Sequence, residues 1–478
     1  MLVWPSGSSR ATAISAANLD KLVKLNEDAV RVELEARGAS CKRTRYMTRS
    51  VLGPSLIHTY SHLSHVVAQW NLIVMGTLIA LAYAFPRVGM TGGSVRAEYT
   101  VTWGGVALIF LIAGLSLSLD ALKKGLPHIQ AHAVCSVFTY LVAPALALGF
   151  GTAGRDAGLD VYVMGGMVVT GGLPTTVASN VSATLATGGS TALASIQVLI
   201  SNTLGPFIAP LLAKMFLTPH MGWAAAQPGD GELTPIYVRM AKQLSAALLG
   251  PMLFGLFIQH LFPRPVARIR TVLHLAKVAA FLTSLCVWHS FSNAFASGAF
   301  LTASHASIIY LCFMSWASYL ILTALVFLVV RLPGVPGRAA AWWRMSKRDS
   351  LALLFCGPAK GVAVGAPTIA ILYADRELAV QAKLSLALVI YQGEQVAMAQ
   401  VVVPLLRWWA RDEVAAHEAA EDERLRLREI AKSRGGEKTQ SGSGDGEEAE
   451  EKSVATLDVE LGKGETRHRH RPSINIEH

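Results

Sequence analysis

Apolar residues fill the middle of this 478-residue chain in runs of about 20, set apart by short polar or basic segments. The runs fall near 67–86, 100–119, 129–150, 161–186, 191–217, 236–262, 272–291, 304–330, 350–373 and 383–406. A helix of about 20 residues matches a hydrocarbon core of about 30 Å, so each run is long enough to cross a bilayer. The pattern predicts an all-α membrane protein with about ten transmembrane helices. Three parts are expected: a cytosolic N-terminal arm over 1–65, a ten-span domain over 66–408, and a charged, largely disordered cytosolic tail over 409–478.

Two runs do not read as plain helices. The fourth contains Gly171-Gly172-Leu173-Pro174-Thr175-Thr176-Val177-Ala178-Ser179-Asn180. The ninth contains Cys356-Gly357-Pro358-Ala359-Lys360-Gly361, followed by Gly365-Ala366-Pro367. Proline removes a helical hydrogen bond and clashes with the preceding turn, and glycine beside it makes unwinding cheap. Gly171, Gly172, Pro174, Gly357, Pro358, Gly361 and Pro367 are therefore the expected break residues. The breaks take matching places, fourth of the first five spans and fourth of the second five, so the second half is expected to sit inverted relative to the first. Gly/Pro-interrupted spans in corresponding places of two halves are the strongest sequence pointer to a transporter binding site. Two structural kinks without a ligand are the alternative.

Composition sharpens the membrane reading. Hydrophobic residues make up 52% of the chain and charged ones only 15%, with a mean hydropathy of +0.41. A water-soluble enzyme would carry nearer a quarter charged residues. The net charge is +10, yet the chain from Ala410 onward holds 12 Lys/Arg against 17 Asp/Glu. The positive excess therefore belongs to the loops, at membrane edges, and not to a nucleic-acid-binding surface. With the N-terminus cytosolic, the cytosolic loops hold Lys123, Lys124, Arg264, Arg268, Arg270, Arg331, Arg338, Arg344, Lys347, Arg348, Arg407 and Arg411. The opposite side holds Arg87, Arg96, Arg155, Arg376 and Lys383. That asymmetry places both termini in the cytosol. Trp342, Trp343, Trp408 and Trp409 fall at the cytosolic edges, where indoles favour the headgroup layer.

The first 65 residues lack the apolar core of a signal peptide, although Ser15 to Arg37 has the spacing of an amphipathic helix. Beyond Arg411, Ala415 to Lys432 reads as a solvated helix, and Gly435 to Glu451 reads as disordered. His468 and His470 alternate with arginines and read as part of a basic end near anionic lipid, with a metal site as the weaker alternative. Cys135, Cys286, Cys312 and Cys356 lie in apolar runs, Cys41 lies in a polar segment, and no CxxC pair suggests metal or redox work. No cofactor and no metal site are expected.

Polar residues inside the runs are the candidate ligands. Thr175, Thr176, Ser179 and Asn180 bring hydroxyl and amide groups to the first break, although Ser and Thr also bond local backbone. Asn202 lies in the middle of the fifth run and needs a partner there, for a ligand or for helix packing. Lys360 is an ammonium in a run, at a cost of about 2.5–3.5 kcal/mol on insertion scales. Glu394 is the single acid inside any run. The two are expected to be coupled electrostatically, directly or through water. His274, Lys277 and His289 are weaker signals. An enzyme is not expected: Ser179 has no adjacent His or acid, and no phosphate-binding loop is present.

Several stretches together resemble the bile acid:sodium symporter superfamily, and within it the sodium/bile acid cotransporter 7-like group, which includes fungal solute carriers involved in calcium homeostasis. They are Gly114-Leu115-Ser116-Leu117, Leu173 to Asn180, Gly188-Gly189, Ile200 to Pro210, Phe291-Ser292-Asn293, Phe355-Cys356, Lys360, Gly365-Ala366-Pro367 and Ile390-Tyr391. The resemblance covers roughly 67–408. It implies two inverted five-helix repeats, with crossed discontinuous helices 4 and 9. Spans 3–5 and 8–10 would form a core, and spans 1, 2, 6 and 7 a panel. It further implies a secondary carrier of a small solute, an anion being favoured, in the plasma membrane ahead of the secretory pathway. A non-transporting regulator of calcium influx, acting on a calcium channel or another partner through the tail, is the alternative. Sodium-coupled relatives have a Ser-Asn pair in the first break, matched here by Ser179 and Asn180. They also have a carboxylate in the second break and hydroxyls in the next span. Here Phe355 or Cys356 falls at the carboxylate's place and Ala194 and Val198 at the hydroxyls', so coupling to Na+ is disfavoured.

Overall fold

A computed structural model of the chain describes residues 70–228, 238, 242–331 and 345–439. The readings of the arm over 1–65, of Arg338, Trp342, Trp343 and Arg344, and of His468 and His470 lie outside the described residues. Twelve main helices carry the fold, joined by short helical linkers: α1 Trp70–Ala84, α2 Ala97–Ser116, α3 Ile129–Asp156, α4 Val161–Gly171, α5 Ala178–Ala186, α6 Thr191–Phe216, α7 Lys242–Leu261, α8 Leu275–Ala296, α9 His305–Val330, α10 Lys347–Cys356, α11 Val362–Leu372 and α12 Leu378–Thr439. No strand occurs among the described residues. Seven of the helices (α2, α3, α6, α7, α8, α9 and the first two thirds of α12) are long and apolar enough to cross a membrane, and α1, α4 and α11 are shorter apolar helices. Their outward faces carry large exposed apolar side chains, such as Leu253, Phe254 and Phe257 on α7 and Ile309, Phe313 and Trp316 on α9. Water would not tolerate such continuous patches, whereas lipid solvates them.

Helix starts follow local chemistry. Asp160 caps α4, accepting from Tyr162 N at 2.9 Å and Val163 N at 3.3 Å. Ser190, Ser304 and Ser346 cap α6, α9 and α10. Each cap satisfies amide groups that the first turn leaves without a partner. Proline shapes two helices in the same way. In α3 a wide π-helical stretch, Phe138–Val142, ends two residues before Pro144, and in α7 the stretch Ser245–Leu249 ends two residues before Pro251. A proline has no N–H to give the preceding turn, and widening that turn accommodates its ring.

Packing depends on small residues. α2 lies on α7, where a Cβ added at Gly114 would stand 2.1 Å from Met252 O and one at Gly255 would stand 2.4 Å from Leu111 O. Helix backbones approach this closely only at glycine, as membrane interfaces commonly require. α4 meets α12 in the same manner, Gly166 facing the Leu384 main chain. α2 also packs on α8, α3 on α4, α4 and α9 on α12, and α5 on both α6 and α10.

Two boundaries differ from the sequence reading. Pro367 lies inside α11, five residues past its start, and is not part of the break. The helix tolerates it among buried neighbours, with Thr368 Oγ1 bonding back to Val364 O at 2.7 Å. α12 continues past Lys432 to Thr439, so Gly435 to Thr439 are helical and not the start of a disordered stretch.

The α2–α7 contact yields a test. Gly255→Val is expected to lower the melting temperature of the purified protein, at a cost of about 2 kcal/mol or more, because the new side chain overlaps main chain. Gly149→Ala is expected to be neutral or mildly stabilising, since no atom lies within 4 Å of its added Cβ. Thermal unfolding in detergent, followed by intrinsic fluorescence, separates the two.

Candidate functional site

The two interruptions run from Gly172 to Val177, between α4 and α5, and from Gly357 to Gly361, between α10 and α11. They lie against one another and are stitched together by hydrogen bonds. Gly361 N donates to Pro174 O at 2.9 Å, and Thr175 Oγ1 donates to Cys356 O at 2.8 Å. A Cβ on Gly361 would sit 3.2 Å from Thr175 O, so a larger residue would push the segments apart. Gly171 closes α4 against Ala147, Gly172 follows it, and Gly357 and Pro358 follow α10.

Neighbouring helices bond much of the remaining unwound backbone. Gln395 of α12 makes a two-way pair with Lys360: Lys360 N donates to Oε1 at 2.9 Å, and Nε2 donates to Lys360 O at 2.8 Å. One turn earlier, Gln392 Oε1 accepts from Val362 N at 3.3 Å, and Tyr391 OH donates to Pro358 O at 2.7 Å. From α6, Ser201 Oγ accepts from Thr175 N at 3.0 Å, and Asn202 Nδ2 donates to Thr175 O at 3.1 Å and Val198 O at 2.8 Å. Tyr140 of α3 donates to Ser201 O. Inside a membrane each unmade backbone bond costs several kcal/mol, so this lattice is what permits the breaks.

Lys360 is 1% exposed. Its ammonium donates to Leu173 O at 3.0 Å, just past the end of α4, and to Thr139 O at 2.8 Å, in the widened turn of α3. No direct ion pair joins Lys360 to Glu394 among the described residues. Helix geometry explains this. Gln392 and Gln395 share the face of α12 that meets the break, whereas Glu394 lies about 100° or more round from both. Glu394 stands instead beside Cys312 and Trp316 of α9, and its Oε2 is buried without a partner among the described residues.

The other candidates divide between the crossing and its edge. Thr175, Thr176, Asn180 and Asn202 are buried within it. Asn180 Nδ2 donates to Thr175 Oγ1, and Asn202 Oδ1 has no partner among the described residues. Ser179, one residue into α5, reaches the edge. With Gln392 it lines a cleft of about 280 Å³ whose far wall is Asn71 of α1 and Thr283 and Ser284 of α8. A second cleft, of about 350 Å³, reaches Lys360 from the other side, past Thr170, Ser315, Ser318 and Tyr391. Phe355, Cys356, Ala194 and Val198 are buried and carry no carboxylate or hydroxyl. His289 is a buried packing residue, bonded through Nδ1 to Gly89 O at 2.6 Å. Outside the crossing, Lys383 of α12 pairs with Asp160 at the start of α4 at 2.7 Å.

Gln392, Gln395, Ser201 and Thr139 were not singled out in the sequence. The two glutamines had a readable signal, since amides three residues apart on an apolar helix share a face and must meet something polar. Thr139 had an indirect one, through Pro144 five residues on.

Residues 69–408 match the model of the SBF-like CPA transporter family. The chain belongs to that family. Among its relatives, the solute carrier RCH1 of Candida albicans is 34% identical over 384 residues, which cover 74% of this chain and 93% of that protein. The solute carrier RCH1 of Saccharomyces cerevisiae is 33% identical, covering 75% of this chain and 88% of its own. The sodium/bile acid cotransporter 7 of Rattus norvegicus is 25% identical, covering 73% and 95%. These relatives carry the names of transporters and not of enzymes. The chain is thus a multi-pass membrane protein of a solute-carrier family, working in the lipid bilayer on a small solute.

The glutamine pair can be tested directly. Gln395→Leu leaves Lys360 N and O unpaired and is expected to cost about 2–5 kcal/mol, seen as a fall in melting temperature and in folded yield. Gln395→Glu keeps the acceptor for Lys360 N and is expected to cost less.

Proposed function

We propose that this chain is a secondary carrier that moves a small solute, preferentially an anion, through the cleft between α1 and α8 on one side and α5 and α12 on the other. The observation that carries this reading is the cleft itself: Ser179 and Gln392, from the interrupted side, face Asn71, Thr283 and Ser284. These groups are polar and uncharged, and Ser179 opens the amino end of α5, where unpaired N–H groups and the helix dipole favour negative charge. In this reading the chain has ten spans in two inverted five-helix repeats. α4 with α5 forms one discontinuous span, and α10 with α11 the other. α3–α6 and α9–α12 are the core, and α1, α2, α7 and α8 are the panel. Rocking between them exposes the cleft to each side in turn. Both termini lie in the cytosol and the plasma membrane is the site of action. The cellular process served is calcium homeostasis, as the family resemblance suggests. Coupling does not use sodium.

A second reading, a regulator of calcium influx acting on a partner through the tail, is favoured by one feature. α12 runs unbroken from the break's glutamines out to Thr439, so a tail-bound partner would be joined mechanically to the crossing.

Uptake into proteoliposomes tests the carrier, with labelled phosphate, sulfate, succinate and taurocholate offered with and without sodium and proton gradients. One of these or a related anion is expected to accumulate without sodium. Ser179→Phe and Gln392→Leu are expected to lower its uptake by at least about tenfold, the loss of roughly one to two buried polar contacts. Deleting residues 440–478 is expected to leave uptake intact. Loss of calcium control on that deletion, with no uptake by the full chain, would support the regulator instead.

A further inference from the structure

A buried primary ammonium in a membrane interior normally meets a carboxylate. Lys360 meets none among the described residues. Its partners are two main-chain carbonyls from different helices, Leu173 O and Thr139 O. Both are carbonyls that the chain has set free. Leu173 precedes Pro174, at the unwound end of α4. Thr139 lies in the π-helical stretch of α3, where Ala143 N bonds to Phe138 O, five residues back. The next bond in that register would join Thr139 O to Pro144, which has no N–H to give. The widened turn thus presents an oxygen with no helical donor, aimed at the crossing.

Freed carbonyls from two segments, converging on one unit positive charge, are what a monovalent cation site looks like. Here the charge is covalently attached. Two hydrogen bonds from a charged donor, and the partial negative charge at the carboxyl end of α4, offset the cost of burying the ammonium.

We propose that the Lys360 ammonium is a tethered cation, standing where a free monovalent ion would otherwise sit to hold the widened turn of α3 to the ends of α4 and α10. A sodium ion does not fit beside it. The freed carbonyl oxygens are already spent on the ammonium, and a second positive charge within a few ångströms in a low-dielectric interior would be repelled. The consequence for coupling rests on the carrier reading, but the tether itself does not, and it is read out without any transported solute.

The experiment uses the purified full-length chain in detergent and follows thermal unfolding in sodium, potassium, methylammonium or choline chloride at one ionic strength. A bound ion would raise the melting temperature with its concentration by mass action. The wild-type protein is expected to melt at the same temperature in sodium and in choline. Lys360→Ala, which empties the place, is expected to melt several degrees lower in choline and to regain much of the loss in methylammonium or sodium. Lys360→Met, which keeps the volume and drops the charge, is expected to be destabilised without rescue, because the methyl group blocks the place. A wild-type protein stabilised by sodium over choline overturns the proposal, whether or not either variant folds. So does an alanine variant indifferent to every small cation, or a methionine variant as stable as wild type. Failure of uptake in proteoliposomes would sink the carrier reading and leave these melting curves unchanged.

Discussion

Unwound backbone cannot survive in a bilayer unless protein supplies every hydrogen bond that water would have made. That constraint organises this molecule. The two interruptions bond to each other through Gly361 N–Pro174 O and Thr175 Oγ1–Cys356 O. Gln392 and Gln395 of α12, Ser201 and Asn202 of α6, and Lys360 supply further bonds. Helices that look like scaffolding are placed where they are because a break needs a donor or an acceptor there. The close α4–α12 approach at Gly166 brings the glutamine face of α12 to the crossing.

The arrangement also separates charge. The carboxyl end of α4 and the widened turn of α3 turn oxygens toward Lys360. The amino end of α5 turns the opposite way, with Ser179, toward the polar cleft. A crossing of half-helices therefore has a negative pole, met by the chain's own ammonium, and a positive pole at the amino end of α5. Glu394 faces α9, beside Cys312 and Trp316, and makes no direct ion pair with Lys360 among the described residues.

The large features were legible in the sequence, for physical reasons. Apolar runs and the Gly/Pro clusters at 171–174 and 357–361 report bilayer length and helix breakage, both local properties. The family resemblance rested on the same stretches and is confirmed by the match over 69–408. What was not legible is rotational. Glu394 and Gln395 are neighbours in the chain, yet one faces α9 and the other the break, and only the three-residue spacing of Gln392 and Gln395 hints at which face is inward. Pro367 shows the converse, since the residue type that breaks one helix is absorbed inside another when buried neighbours hold the turns. The α12 boundary at Thr439 was missed because glycines at 435 and 436 read as a stop, whereas the helix continues through them.

One further property follows from the length of α12. At 1.5 Å per residue, 62 residues make a rod of about 90 Å, of which only the first part lies among the other helices. Its inner end holds both carbonyl and amide of Lys360, and farther along Glu413 accepts from Lys347 N, at the head of α10. A tilt of a few degrees at the core is thereby magnified into a swing of several ångströms at the outer tip. In the carrier reading, a fluorophore on that tip would report the tilt of a crossing buried among the helices.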